Sequence, residues 1–155
     1  MKARTSRIPP PGDLPKSLAD LAPALAAART ARARAYAPYS HYRVGAALVT
    51  AKGTVFAGCN VENASFGATL CAERSAVAAM IAAGEREPVS CVLVTGGPRP
   101  AFPCGICRQV FAEFSRDIRL LLVAEDKAGR IVGRASARLS ALLPHSFRLK
   151  AADRA

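Results

Sequence analysis

Residues 89–124, VSCVLVTGGPRPAFPCGICRQVFAEFSRDIRLLLVA, decide the fold, because two strand-like runs flank a helix-like segment. The runs at 89–95 and 118–124 are short, apolar and rich in Val and Leu, which is typical of buried strands. The segment at 104–114 between them predicts a helix. A strand, a crossover helix and a second strand favour a parallel pair within one sheet.

Two further strands and a helix are predicted before this unit. Strand-like runs at 42–50 and 54–61 are separated by the turn residues Ala-Lys-Gly, which indicates a hairpin. Residues 70–83 are rich in alanine and are followed by Gly84, which predicts a helix with a glycine C-cap.

The beginning of the chain predicts one helix after a proline-rich extension. Residues 17–34 have leucines spaced for one helical face, and Ser17 with Asp20 resembles a capping box. Pro23 lies inside this run and counts against a single unbroken helix. Residues 1–16 contain four prolines and little apolar periodicity, so we expect a mobile extension there.

The remaining elements complete a three-layer fold. A fifth strand is expected at 130–134, after a Lys-Ala-Gly turn, and a short helical turn at 140–143. The order of elements implies an α/β fold, a three-layer α/β/α sandwich around a five-stranded mixed sheet. With 155 residues, the chain is expected to form a single domain at 17–150, beyond the extension.

Composition restricts where the protein is expected to act. No run of about 18 apolar residues exists, so a membrane span is not expected. Residues 1–16 are basic but lack the apolar core of a secretory signal. Together with five cysteines, this predicts a cytoplasmic protein with thiol or metal chemistry rather than a disulfide framework.

The net charge of +11 is concentrated at the two ends of the chain. Residues 1–35 and 116–155 each carry +5, whereas residues 36–115, which contain every cysteine, carry +1. A nucleic-acid groove is expected to place basic and aromatic residues beside its chemistry. Nucleic acid is therefore not an expected partner, and we interpret the charges as solvated faces and tails.

Three cysteines lie at the predicted starts of two helices. Cys71 begins the helix at 70–83, and Cys104 and Cys107 form a Cys-x-x-Cys pair in the helix at 104–114. The crossover places these helices side by side, and helix N-termini stabilise thiolates. Three thiolates brought together there predict a zinc site with a fourth position open to water.

Glu73 supplies the group that such a site needs for proton transfer. It follows Cys71 by two residues, so it leaves the helix in another direction but can reach the open position. A carboxylate beside an activated water acts first as a general base and then as an acid. Cys-x-Glu with a distant Pro-Cys-x-x-Cys, here with 32 residues between Cys71 and Cys104, matches the pattern of zinc deaminases.

Five blocks of sequence resemble those of the small homotetrameric cytidine deaminases, and the resemblance extends over about residues 36–147. The blocks are YAPYSHYRVGAALVT (36–50), GCNVENASFG (58–67), LCAERSAV (70–77), PCGICRQV (103–110) and LLPHSF (142–147). The resemblance implies a cytidine deaminase-like catalytic domain that converts cytidine and deoxycytidine to uridine and deoxyuridine in pyrimidine salvage.

The resemblance also implies the chemistry of the site. One zinc ion per chain would be held by Cys71, Cys104 and Cys107. Glu73 would take a proton from the attacking water, pass it to the pyrimidine N3 and help ammonia to leave. Three thiolates and Zn²⁺ sum to −1, which discourages ionisation of the water, and Arg74 is placed to offset this charge by donating to the sulfurs.

Substrate contacts follow from the same resemblance. The backbone N–H of Ala72 would bind the ring O2 of the base, and Asn60 and Glu62 would bind the ribose 3′-hydroxyl. Tyr42 lies where the family usually has a Phe that packs against the base. Phe66 lies where a Tyr is common, so the pocket wall is expected to differ in polarity at both points.

The family resemblance implies a homotetramer with shared active sites. Phe147 would then cover a nucleoside bound in another chain. The sequence alone leaves open a second interpretation, in which Phe147 packs at the edge of its own domain.

Other functions remain open on sequence grounds. The CGIC motif resembles a thioredoxin-type redox pair, but that function leaves the Cys-x-Glu motif unexplained. A structural zinc site would need Cys59 or Cys91, which lie in apolar runs where a cysteine packs as a small hydrophobe. A blasticidin-S-type deaminase shares the cysteine pattern, although Asn60 and Glu62 favour a ribose. A non-catalytic zinc-binding module would not need the glutamate.

Overall fold

The structure is a computed structural model that describes residues 21–149. Within this range the chain forms four α-helices, five strands and a short 3-10 helix, Phe66–Ala68. The helices are α1 (Ala22–Ala33), α2 (Ala72–Ala82), α3 (Gly105–Phe114) and α4 (Leu139–Leu142). The strands are β1 (Val44–Thr50), β2 (Val55–Cys59), β3 (Pro88–Gly96), β4 (Arg119–Glu125) and β5 (Ile131–Arg138).

The five strands form one mixed sheet in the order β2-β1-β3-β4-β5. Strands β3 and β4 are parallel, as the strand-helix-strand unit predicts, and the other three neighbouring pairs are antiparallel. The predicted five-stranded mixed sheet is therefore confirmed.

Helices cover both faces of this sheet. On one face, α1 packs over β1, β2 and β3, with Leu25 and Ala28 against Val92 and Val94. On the other face, α2 and α3 cover a second apolar cluster. Its largest members are Leu48, Met80, Phe111, Ile118, Leu120, Leu122 and Leu139. Each face buries its own core, which confirms the three-layer α/β/α architecture.

Two glycines allow the helices to approach the sheet closely. A Cβ atom on Gly45 would lie 2.0 Å from the carbonyl oxygen of Ala28 in α1. A Cβ atom on Gly58 would lie 2.4 Å from the backbone nitrogen of Ala76 in α2. The hydroxyl of Ser75 also donates to the carbonyl oxygen of Cys59 at 2.8 Å. These contacts fix α2 over β2 and so set the position of the start of α2.

The first helix differs from its prediction. Helix α1 begins at Ala22, so Pro23 lies in its first turn, where a missing N–H leaves no intrahelical bond unmade. Pro23 therefore does not interrupt the helix. The predicted capping pair, Ser17 with Asp20, and the extension at 1–16 lie outside the described residues.

The ends of two other elements are instructive. Helix α2 ends at Ala82, and Gly84 just beyond it adopts the left-handed region, at a φ of 82°, as the predicted glycine cap requires. The N–H groups of Gly84 and Glu85 donate to the carbonyls of Ile81 and Met80. Strand β5 continues to Arg138, four residues beyond the predicted end. Only alternate side chains of this edge strand are partly buried, so the sequence has no continuous apolar run that would mark the full strand.

No helix between residues 21 and 149 has the length and apolar character that a membrane crossing requires.

Candidate metal centre and active site

The N-termini of α2 and α3 bring three cysteines together. Cys71 and Cys104 are the N-cap residues of these helices, and Cys107 lies in the first turn of α3. Their sulfur atoms all lie within 4.8 Å of one another. The Cys71 and Cys104 sulfurs are 4.0 Å apart, and those of Cys104 and Cys107 are 3.5 Å apart. Cys107 is buried and Cys104 is exposed, so the cluster is accessible from one side.

This cluster fits a zinc ion. Tetrahedral coordination with Zn–S bonds of ~2.3 Å separates ligand sulfurs by roughly 3.8 Å, and the two sulfur separations given above bracket this value. All three cysteines are free of disulfide bonds. Within residues 21–149, this is the single group of three or more His, Cys, Asp or Glu side chains close enough to share a metal ion. The remaining coordination position would be left for water.

Interactions within the cluster shift the pKa values of Cys71 and Cys107 in opposite directions. A hydrogen bond with Cys107 lowers the pKa of Cys71 to about 5, and Arg74 adds to this effect. The same hydrogen bond, together with burial, raises the pKa of Cys107 well above its ordinary value. Of these two cysteines, Cys71 therefore ionises more readily. A divalent cation in place of their protons allows all three to ionise, which is the chemistry of a thiolate metal site.

Arg74 lies beside the cluster in the first turn of α2. Its Nη2 atom is 3.8 Å from the sulfur of Cys71 and also donates to the carbonyl oxygen of Thr69. Burial lowers the pKa of Arg74, but contact with the Cys71 thiolate outweighs this effect and raises the pKa above its ordinary value. A positive charge at this distance offsets part of the negative charge of the sulfurs.

Glu73 is buried next to the sulfur cluster, with only 5% of its surface exposed. Burial raises the pKa of the Glu73 carboxyl, an effect that its own backbone N–H partly opposes and the nearby Cys71 thiolate reinforces. A carboxyl whose pKa is raised from its usual acidic range can both accept and return a proton near neutral pH. The structure thus places a proton-transfer group beside the candidate metal ligands.

The first residue of α2, Ala72, is fully buried between Cys71 and Glu73. The N–H groups in the first turn of a helix have no intrahelical partner. They are also at the positive end of the helix dipole. The Ala72 N–H is therefore a donor for an acceptor atom bound beside the cluster.

A pocket of about 390 Å³ lies next to Thr69, which precedes Cys71 by two residues. Its lining residues are Tyr39, Ser40, Glu62, Phe66 and Thr69. The carbonyl of Thr69 accepts a hydrogen bond from Arg74, which also contacts Cys71, so Arg74 connects the pocket wall to a candidate metal ligand. The rings of Tyr39 and Phe66 meet edge to face, with centroids 6.2 Å apart.

Glu62 is held at the pocket by three donors from one loop. One carboxylate oxygen accepts from the hydroxyl of Ser40, and the other accepts from the backbone N–H groups of Tyr39 and Ser40 at 2.9 and 3.2 Å. The Ser40 hydroxyl lowers the pKa of Glu62 below its usual range, and these N–H groups lower it further. Glu62 is therefore an oriented, ionised acceptor.

Asn60 is largely engaged by the backbone of the same region. Its Oδ1 accepts from the N–H of Val44 at 2.8 Å, and its Nδ2 donates to the carbonyl of Tyr42 at 2.9 Å. A primary amide has two N–H groups, and the bonds within residues 21–149 use one of those of Asn60. The other N–H can donate to a ligand. Asn60 thus combines a structural role with the capacity for one further contact.

Two aromatic residues named from the sequence are exposed. Tyr42 has 42% of its surface accessible, and its N–H donates to the Ser40 hydroxyl at 3.0 Å. Phe147 is 68% exposed. Its backbone is bonded to Gln109 in α3.

The known protein family that matches this arrangement is the cytidine and deoxycytidylate deaminase zinc-binding region, whose profile covers residues 20–124. The chain belongs to this family. A cytidine deaminase of Halalkalibacterium halodurans is 51% identical over 83 residues, which are 54% of this chain and 63% of that protein. The aligned part is thus less than two thirds of that relative. A cytidine deaminase of Sporosarcina psychrophila is 43% identical over 95 residues, or 61% of this chain and 70% of that protein.

A solved structure shows the same fold over nearly its full length. The crystal structure of cytidine deaminase from Burkholderia pseudomallei has a TM-score of 0.73 and 43% sequence identity. The match covers 81% of this chain and 98% of that chain. The match to a zinc-binding family and the geometry of the three-cysteine cluster together identify zinc as the metal for which this site is suited.

Three interactions of the site region were not expected from the sequence. Ser40 orients Glu62, and Gln109 holds the backbone of Phe147. Arg108 donates to the carbonyls of Pro103 and Leu142 at 2.7 and 3.0 Å. The bonds of Ser40, Gln109 and Arg108 to Glu62, Phe147 and Leu142 join residues that lie in different sequence motifs.

Proposed function

We propose that this protein catalyses the zinc-dependent hydrolytic deamination of cytidine and deoxycytidine, giving uridine or deoxyuridine and ammonia. The observation that carries this proposal is the buried Glu73 beside a cluster of three cysteine sulfurs at the N-termini of two helices. Such a reaction would serve pyrimidine salvage.

The chemistry divides between the metal and the residues of the chain. When bound by three thiolates, zinc lowers the pKa of a water molecule and so supplies a nucleophile at neutral pH. Glu73 accepts a proton from the attacking water and delivers it to the pyrimidine N3. It then takes the second proton from the hydroxyl now bonded to C4 and passes it to the amine, so that the C4–N bond breaks, ammonia leaves and the C4 carbonyl forms. The buried position of Glu73 supports this role, because it excludes bulk water from the proton transfer.

The donors and acceptors of the pocket suit a nucleoside. A carboxylate has about four lone-pair sites, and Glu62 uses three of them within the loop, which leaves one for a hydroxyl donor. The remaining N–H of Asn60 can donate to the same hydroxyl. One ribose 3′-hydroxyl satisfies both groups, while the N–H of Ala72 binds the ring O2 and Tyr42 packs against the base.

Loss of cytidine absorbance on incubation with the zinc-loaded protein tests the proposed reaction. Turnover of cytidine and deoxycytidine is the expected result. Turnover of blasticidin S without either nucleoside would replace the proposal with an aminonucleoside-antibiotic deaminase. No turnover of any of the three would favour a non-catalytic zinc-binding module, which has no use for a buried Glu73.

We also propose that the active protein is a homotetramer in which each site is shared between chains. The exposed Phe147 supports this, because burial of its ring against another chain would remove apolar surface from water. Phe102 and Ile106, which flank Cys104 in sequence, are 48% and 62% exposed. A neighbouring chain packed at this end of α3 would bury all three side chains and bring Phe147 to a nucleoside bound in that neighbour.

Complementation tests the shared site. Glu73→Ala and Phe147→Ala proteins are each expected to be severely impaired. Unfolding and refolding them together forms mixed tetramers, some of whose sites combine an intact Glu73 with an intact Phe147 from another chain. Activity should then partly return. Mixed tetramers that form without any recovery would refute the contribution in trans.

A further inference from the structure

The last described residues are attached along α3 by side chains rather than by secondary structure. Residues 143–149 form no helix or strand. Arg108 donates to the carbonyl of Leu142, where this segment begins, and Arg148 donates to the carbonyl of Ser115, where α3 ends, at 3.4 Å. The segment therefore follows α3 from its cysteine-bearing end to its C-terminus.

Between these two attachments, Gln109 bonds to both backbone groups of Phe147. Its Nε2 donates to the Phe147 carbonyl at 2.7 Å, and its Oε1 accepts from the Phe147 N–H at 3.3 Å. A carboxamide offers one acceptor and two donors in a plane, so it can pair with a backbone residue much as a strand neighbour does. The two bonds together fix the position and the orientation of the Phe147 backbone.

The side chain of Phe147 is held outward by this arrangement. It is 68% exposed, and the one ring–ring contact within residues 21–149 is between Tyr39 and Phe66. We call the two bonds from Gln109 the backbone clamp. A fixed backbone with an exposed ring is the arrangement expected when the ring contacts a molecule outside its own domain. Fixing the backbone beforehand lowers the conformational entropy that is lost when the ring meets its target.

We propose that Gln109 is a positioning residue, which presents the ring of Phe147 to a pyrimidine nucleoside bound in a neighbouring subunit. This inference rests on the proposed function and extends it. Gln109 lies two residues beyond Cys107 on the same helix. The rigid helix that begins at the metal centre of one subunit thereby also sets the wall of the site in another subunit.

Steady-state kinetics with Gln109→Met tests this role, since Met matches the length of Gln without its donor or acceptor. The KM for cytidine should rise roughly 5- to 20-fold, with a smaller change in kcat, because two hydrogen bonds that order the ring are lost. Zinc content should stay at one ion per chain. Glu113→Met, one helical turn further along α3 on an exposed position, is the matched control and should leave KM unchanged.

A second background separates positioning from any direct effect. In a Phe147→Leu protein, Gln109→Met should change KM very little further, because there is no ring left to position. A full effect of Gln109→Met in that background would overturn the inference, as would a wild-type KM for the single variant.

Amide hydrogen exchange gives a readout that needs no substrate. In Gln109→Met, exchange of the C-terminal peptide containing Phe147 should become at least about tenfold faster, whereas Glu113→Met should match the wild type. Unchanged exchange would show that Gln109 does not hold Phe147. A wild-type protein that does not turn over cytidine would refute the proposed function instead, and exchange would then decide alone whether the clamp exists.

Discussion

The guanidinium Nη2 of Arg74 lies 3.8 Å from the sulfur of Cys71, while the same nitrogen donates to the carbonyl of Thr69 in the pocket wall. One side chain therefore links a candidate metal ligand to a residue that lines the pocket. This link explains how a positively charged residue can act on the metal centre without being a ligand.

Replacing Arg74 with Gln should weaken zinc binding by roughly 10- to 100-fold, as is typical when a hydrogen bond to a ligand atom is lost. Competition with a metal chelator measures this affinity. Arg86→Gln, the same substitution at an exposed position, is the control and should leave the affinity unchanged. Equal affinities for Arg74→Gln and the wild type would show that Arg74 does not support the sulfurs.

Glu125 anchors α1 to the end of β4. Its carboxylate is 3% exposed and pairs with Arg29 at 2.6 Å and Arg32 at 3.2 Å. Glu125→Ala should lower the free energy of unfolding by roughly 1.5–3 kcal/mol, because charged hydrogen bonds are lost from a buried acceptor. Denaturant unfolding measures this change.

Arg130→Gln provides the comparison for Glu125→Ala. Arg130 is 80% exposed and pairs with Asp126 across a turn. Exposed ion pairs contribute about 0–1 kcal/mol, so the loss in this variant should be smaller. Similar losses for both variants would contradict the assignment of the Glu125 pairs as the stronger anchor.

Gly58 should not tolerate a larger side chain, because an added Cβ would lie 2.4 Å from the Ala76 nitrogen of α2. Gly58→Ala is expected to cost roughly 1–3 kcal/mol of unfolding free energy by pushing α2 away from β2. Gly67→Ala is the control, since its Cβ would meet no atom within 4 Å. Wild-type stability of Gly58→Ala would mean that α2 does not pack as closely as described.

Much of the fold could be predicted because its strands and helices carry strong local patterns. The buried runs in β3 and β4 are continuous and apolar, and their connection by α3 fixes a parallel pair. Strand β5 was predicted too short, since Ala135 and Ala137 pack inward while Arg134 and Arg138 stay exposed. Small and charged residues in alternation give a weak apolar signal, although they suit an edge strand.

The candidate site was predicted where its residues lie in short motifs and was missed where they do not. Cys71 and Glu73 are neighbours in sequence, and a helix connects Cys104 to Cys107. The bonds from Ser40 to Glu62 and from Gln109 to Phe147 span 22 and 38 residues. Such contacts depend on how loops cross in the folded chain, so a sequence pattern does not reveal them.

Removal of residues 1–16 should leave folding, assembly and activity nearly unchanged. This segment lies outside the described residues, and the prediction comes from its proline-rich sequence, which has no apolar face to bury. Thermal unfolding, native mass and cytidine turnover of the shortened protein check it. A shortened protein that does not assemble would show that the domain begins earlier than residue 17.

The most direct test of the account is the cytidine turnover of Glu73→Gln, measured together with its zinc content. Gln keeps the shape of Glu but cannot carry the proton, so the variant should retain one zinc per chain through its three cysteines. Its kcat should fall by at least the roughly 10²- to 10⁴-fold that a general acid–base contributes. A zinc-loaded Glu73→Gln protein that turns over cytidine at nearly the wild-type rate would contradict the central claim.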